Sequence, residues 1–304
     1  MDSIYPDRLI WIILIFTGMF GAVVGSFLNV CIHRLPRTYL SIVRPGSHCP
    51  QCGTFLKWYD NIPIFSWLSL GGACRYCRIR IPIRYMLVEM LTAALFIVYA
   101  YFIVIAPLPS FGELPKTSAW FALVVAWYLI GNMIAITFID MAYRIIPDSI
   151  TYTGIMLAPI VSLLCPVLHP EMHTISNPYL QGFISSILGI VIGGGSLYIV
   201  GVIGKLIFRK EAMGLGDVKM MAMVGGFLGW DDAIIIFLLA CLFGTLIGII
   251  ILLITRDRYT PFGPYLAAAT LTTLLFREEI LEFALVVWPS YLCRWFGLGF
   301  DWKS

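Results

Sequence analysis

Charge is scarce in this sequence. Of its 304 residues only 12% are charged and 60% are hydrophobic, and the mean hydropathy is +0.90. A soluble domain carries about 25% charge. Half that level excludes a chain built only of water-facing domains, so membrane spans are the units to seek. Linkers are lacking too: there is no internal repeat, no low-complexity tract and no Gly/Ser-rich stretch. A removable leader is not expected. The first apolar run is too long, the preceding MDSIYPDR is not clearly basic, and no small-residue cleavage site follows. No Gly-rich nucleotide loop follows a strand pattern, and no nucleic-acid partner is expected.

What is present is a series of apolar runs at 9–33, 84–107, 117–140, 149–168, 180–208, 233–255, 261–276 and 280–297, with a short one at 218–230. A helix needs about 20 apolar residues to cross the hydrocarbon core. The expected fold is therefore an all-α polytopic membrane protein of eight or nine transmembrane helices with a small cytoplasmic loop domain. The run at 218–230 is short for an upright crossing. It fits a locally thinned bilayer, or a broken helix shared with its neighbour.

The few charges fix orientation. Residues 34–84 hold eight basic side chains and one acid, Asp60, which places this loop in the cytoplasm by the positive-inside rule. Alternation of nine spans puts 17 of the 20 basic residues inside and leaves Arg8, Lys116 and Arg277 outside. The N-terminus is then outside. Three parts are expected: 1–83, the first helix and the cysteine loop; 84–279, a helical bundle; and 280–304, an additional C-terminal helix. The outside loop 169–179, with His169 and His173, reads as a solvated connector rather than a metal site.

Four of the eight cysteines lie in the basic loop as Cys49-x-x-Cys52 and Cys74-x-x-Cys77. Two such knuckles can bend four thiolates onto one tetrahedral ion, which points to structural Zn2+. Pro50, Gly53, Gly71 and Gly72 favour the turns required. A reducing compartment disfavours disulfides, and a loop with little apolar content needs a bound metal to fold. Cys31, Cys165, Cys241 and Cys293 sit in or beside apolar runs and read as packing residues.

Acids within spans are costly, about 2.5–3.5 kcal/mol at a helix centre. Glu89, Asp140 and Asp217 are the candidates, and span counting brings all three to the cytoplasmic face. Asp148 follows Pro147 and opens the next apolar run, where a helix N-cap is expected. Two carboxylates held close cannot both ionise easily, so one retains a proton. The ionised one can activate water and the protonated one can polarise a carbonyl. Gly214 and Gly216 would let backbone or substrate approach Asp217. On residue chemistry alone, Asp140 and Asp217 are either such a dyad or interfacial charges paired with Arg144 and Lys219.

The chain resembles the type IV prepilin peptidases (type 4 prepilin-like leader peptidase/N-methyltransferases). The matching segments, in order, are GSFLNVCIHRLP at 25–36, the CxxC pairs around KWYDNIPIFSWL at 57–68, IPIRYMLVE at 81–89, FIDMAYRIIPD at 138–148, GLGDVKMMAMVGGFLGW at 214–230 and TPFGPYLA at 260–267. The resemblance implies a membrane aspartic peptidase with Asp140 and Asp217 as catalytic pair and Cys49, Cys52, Cys74 and Cys77 as metal ligands. It implies cleavage of the basic leader of prepilins or pseudopilins after glycine, at the cytoplasmic face of the bacterial inner membrane. It also implies methylation of the new N-terminal amine by S-adenosylmethionine, placed around the cysteine loop. Donor-binding residues are not assigned; Arg84 and Glu89 fit an interfacial salt bridge or snorkelling better. Rival expectations are a GxGD membrane protease without methyltransferase activity, and a transporter with a zinc-bound regulatory loop. The run 280–297 and the long 169–179 loop depart from the usual family pattern.

Overall fold

Backbone polar groups in hydrocarbon must be satisfied within their own segment, so apolar runs fold as helices. The protein is a computed structural model that describes residues 6–37, 41–108, 115–169, 177–209, 213–255 and 260–284. Nine α-helices appear among the described residues: α1 (Asp7–Arg34), α2 (Phe65–Ser69), α3 (Arg84–Ala100), α4 (Lys116–Tyr143), α5 (Asp148–Leu164), α6 (Pro178–Phe208), α7 (Leu215–Leu228), α8 (Trp230–Thr255) and α9 (Gly263–Glu282). A π turn at Tyr101–Ile105 extends α3.

Among the described residues five helical segments are long and apolar enough to cross a membrane: Asp7–Arg34, Arg84–Ile105, Thr117–Tyr143, Pro178–Ile207 and Trp230–Ile254. α5 is apolar but shorter. The chain is therefore an all-α, multi-pass membrane protein. Its outward faces keep large apolar side chains, among them Trp11, Phe16, Ile199 and Leu253, where lipid replaces water. The core gathers around α4 and α7, with Leu129, Ile130, Met133 and Ile136 of α4 fully buried.

α7 fills the short run at 218–230. It has 14 residues, with Met220 through Leu228 all buried. At about 1.5 Å per residue it covers about 21 Å, short of the roughly 30 Å hydrocarbon thickness. Gly229, at φ 100°, turns the chain into α8. α8 then runs back, since its Gly244 comes beside Tyr265 in the first turn of α9.

Small residues let α6 and α7 touch backbone to backbone. A methyl on Gly189 would collide with the Gly225 carbonyl, and one on Gly225 with the Gly189 carbonyl. Gly193, one turn along α6, has the Met221 carbonyl only 2.8 Å from where a Cβ would sit. This is the small-xxx-small packing of membrane helices. Gly225→Leu is expected to force the pair apart at a cost of about 3 kcal/mol, the upper range for overpacking. Thermal melting in detergent should fall well below the parent.

Two expectations change here. The helix beginning at 261 continues through a kink at Phe276 to Glu282, so residues 280–282 belong to α9. The rest of the expected 280–297 run, with Cys293 and Arg294, lies outside the described residues from 285 onward. His169 is not solvated: it is 4% exposed, and its Nε2 lies 2.8 Å from Ser162 Oγ. The 3-10 turn Pro166–Leu168 folds the ring back against α5. His173 lies outside the described residues. At the same end of the bundle Arg277 of α9 binds Asp231 and Asp232 at the start of α8, at 2.5 and 2.6 Å.

Candidate active site and metal site

α4 stops because Arg144 takes a left-handed conformation, its N–H donating back to the Asp140 carbonyl at 2.8 Å. Pro147 then bars a simple continuation and begins the turn into α5. Asp140 is left in the last turn of α4, 6% exposed. Asp217 stands in the first turn of α7, where the N–H groups of a helix start favour a carboxylate. A backbone hydrogen bond from Gly214 reaches its carboxyl, and Asp140 acts on it electrostatically. The two segments meet because Gly216 is bare: its Cβ would lie 3.0 Å from Ile146 Cβ, in the turn that follows Asp140.

A third element completes the site. The Gly263 N–H, at the start of α9, donates to Asp140 Oδ2 at 3.0 Å. A Cβ on Gly263 would stand 2.6 Å from that oxygen, so only glycine leaves room for it. Sequence reasoning gave TPFGPYLA no role. The signal was available in Gly263-Pro264, since proline at the first helical positions marks a helix N-terminus.

The interfacial ion pairs that rivalled the dyad are not formed. Among the described residues neither Asp140 nor Asp217 has a salt bridge. Lys219 instead binds Asp148 Oδ1 at 2.7 Å and lies over the Tyr152 ring. Asp148 accordingly is not the N-cap. Pro147 occupies that position, and Asp148 is the first helical residue, its side chain turned to Lys219.

Glu89 likewise departs from the expected salt bridge. It is 8% exposed and accepts from the Ile64 N–H at 2.7 Å and from Ser26, tying α3 to the cysteine loop and to α1. Arg84 lies over the Tyr85 ring, and among the described residues its Nε has no hydrogen-bond partner.

The cysteine loop folds as two matched knuckles. The Cys49 N–H donates to Thr54 and the Gly53 N–H to Cys49; the Cys74 N–H donates to Ile79 and the Arg78 N–H to Cys74. The four Sγ atoms all lie within 4.8 Å of one another. Cys49 and Cys77 Sγ are 3.7 Å apart. A disulfide needs about 2.05 Å, whereas two thiolates of a tetrahedral Zn site with bonds of about 2.3 Å stand about 3.8 Å apart. The Thr54 hydroxyl pulls the Cys52 thiol down to about 6, and the Cys77 backbone N–H lowers Cys74. Despite a backbone hydrogen bond from Ile79, burial and the neighbouring thiols push Cys77 up to about 11. Four thiols this close cannot all ionise alone; a divalent cation removes the conflict. The cysteines are positioned to hold a metal ion.

The comparisons with known proteins agree with both halves. The Bacterial Peptidase A24 N-terminal domain profile matches residues 19–103, and the type IV leader peptidase family profile matches residues 127–249. A prepilin leader peptidase/N-methyltransferase of Myxococcus xanthus is 37% identical over 242 residues, covering 79% of this chain and 64% of that protein. Proteins of the same name from Aeromonas salmonicida and Pseudomonas aeruginosa are 33% and 32% identical. They cover 90% and 88% of this chain, and 94% and 93% of their own lengths. No solved structure gives a significant match. With this agreement along nearly the whole length of two relatives, the chain belongs to the type IV leader peptidase family.

Proposed function

We propose that this enzyme cuts the basic leader from type IV prepilins or pseudopilins and then methylates the new N-terminus. The observation that carries the peptidase is the meeting of three helix ends, with the Gly263 N–H on Asp140 and Asp217 within electrostatic reach of it. The ionised carboxylate of the pair takes a proton from water, and the resulting hydroxide attacks the carbonyl of the leader's last glycine. The protonated carboxyl donates to the carbonyl oxygen as charge develops there. Collapse of the tetrahedral intermediate breaks the C–N bond, and the proton leaves with the amine.

Residues 1–83 form the methyl-transfer and zinc part, and 84–282, through the end of α9, the peptidase bundle. The basic loop and the dyad face the cytoplasm of a bacterial inner membrane crossed by eight or nine spans, a reading supported by the excess of basic residues at 34–84. Zn2+ held by Cys49, Cys52, Cys74 and Cys77 keeps the loop folded, and S-adenosylmethionine supplies the methyl group. A transport role is disfavoured because the acids lie at one face, whereas transporter sites lie near the midplane.

Mass analysis of a prepilin incubated with the enzyme tests this. Loss of the leader followed, when S-adenosylmethionine is added, by a gain of one methyl group is expected. An intact prepilin would overturn the peptidase. A cleaved but unmethylated product would leave the protease-only alternative.

A further inference from the structure

A cavity of about 350 Å3 opens between α1 and the segment 42–63. That volume lies in the range of small-ligand sites, about 300–1,000 Å3. Its apolar walls are Phe27 and Val30 of α1 facing Ile42 and Val43. Ser26, Ser47 and Asn61 supply hydroxyl and amide groups between them.

The cavity is built rather than incidental. Arg34, buried at the end of α1, donates to the carbonyls of Ser41 at 2.9 Å, Ile42 at 3.1 Å and Pro45 at 2.8 Å. These bonds fix the loop wall at a set distance from α1. Behind Ser26 stands the Glu89 carboxylate, which also accepts the Ile64 N–H. The cavity thus has the Arg34 guanidinium at one end, and the Glu89 carboxylate stands behind Ser26 rather than in the lining.

Its position matters as much. The lining runs along α1 from Val23 to Arg34, about 16 Å at 1.5 Å per residue. It reaches from the polar loop down to the exposed apolar surface of Val23 and Phe27. A water-borne ligand can enter from one end while the amine of a membrane-embedded helix meets it from the other.

We propose that this cavity binds S-adenosylmethionine, with the adenine between the apolar walls and the polar groups held by Ser26, Ser47 and Asn61. The site rests on the methyl-transfer half of the function given above. In the transfer, the neutral N-terminal amine attacks the methyl carbon, and the S–CH3 bond breaks with its electron pair returning to sulfur. S-adenosylhomocysteine leaves as a neutral thioether, and the methylated ammonium releases one proton to water.

The test is titration of S-adenosylhomocysteine into the full-length protein in detergent, followed by calorimetry. Ser47→Trp fills the cavity and should weaken binding by about tenfold or more, about 1.4 kcal/mol. Asn61→Ala, a milder change, should weaken it measurably. Leader cleavage reports on folding, because the cavity shares no residue with the dyad. If Ser47→Trp loses cleavage, Asn61→Ala decides. Parent-like affinity in a cleavage-competent variant overturns the site alone, provided that the parent binds and methylates. A parent that cleaves yet neither binds nor methylates overturns the methyl-transfer function, and the site with it.

Discussion

Asp140→Asn and Asp217→Asn should each reduce prepilin cleavage by about 10³-fold or more, within the roughly 10²–10⁴ that general acid–base catalysis supplies and beyond it where the pair acts as a unit. Asparagine keeps the size of the side chain and an oxygen to accept the Gly263 N–H, so helix packing at the site is preserved. What is lost is the exchangeable proton. With one amide in place of a carboxyl, the pair can no longer both take a proton from water and donate one to the carbonyl. Melting temperature should therefore stay near the parent value while turnover disappears. Asp148→Asn is the control. Its side chain is 60% exposed and bound to Lys219, and an exposed pair contributes about 0–1 kcal/mol. That variant should lose a little stability and keep its activity. Undiminished cleavage by Asp140→Asn or Asp217→Asn would remove the dyad.

The second large effect is metal removal. Beyond its knuckle hydrogen bonds the cysteine loop has little apolar core, so a bound metal ion, worth about 10–16 kcal/mol where zinc holds a small domain, is expected to carry most of its folding. Chelation, or Cys49→Ser with Cys74→Ser, should open residues 41–81 to limited proteolysis. Methylation should fall by about 10²-fold, the range seen when metal-site support is lost. Cleavage should suffer less, since the described contacts of the dyad come from α4, α7 and α9. The pH dependence has a definite sign. Thiolates bind the ion and thiols do not, so protons compete with metal. Metal content after dialysis should thus decline as pH falls. Retention of one ion per chain under strong chelation, with methylation gone, would separate the activity from the metal.

Much of this protein was legible in its residues because the relevant signals are local. Low charge and long apolar runs dictate helices in lipid, since no other open structure satisfies its backbone there. Two CxxC knuckles carry their own turns, so the four cysteines meet at one point with little help from the rest of the chain. The short run at 218–230 was readable as an unusual helix, and α7 proved to be one, buried over nine consecutive residues.

Other features required the assembled bundle. Asp140 and Asp217 are far apart in sequence, and only the packing of α7 against the turn at Ile146 brings Asp217 within electrostatic reach of Asp140. The Gly263 N–H reaches Asp140 from 123 residues away, a distance no sequence spacing encodes. Lys219 and Asp148 showed the same limit: along the chain one suggested an ion pair with Asp217 and the other a helix cap, yet they bind one another across α5 and α7. Residue type and period thus determined which segments enter the membrane and which groups could do chemistry. Helix packing, set by bare glycines where backbones touch, decided which of those groups share a site.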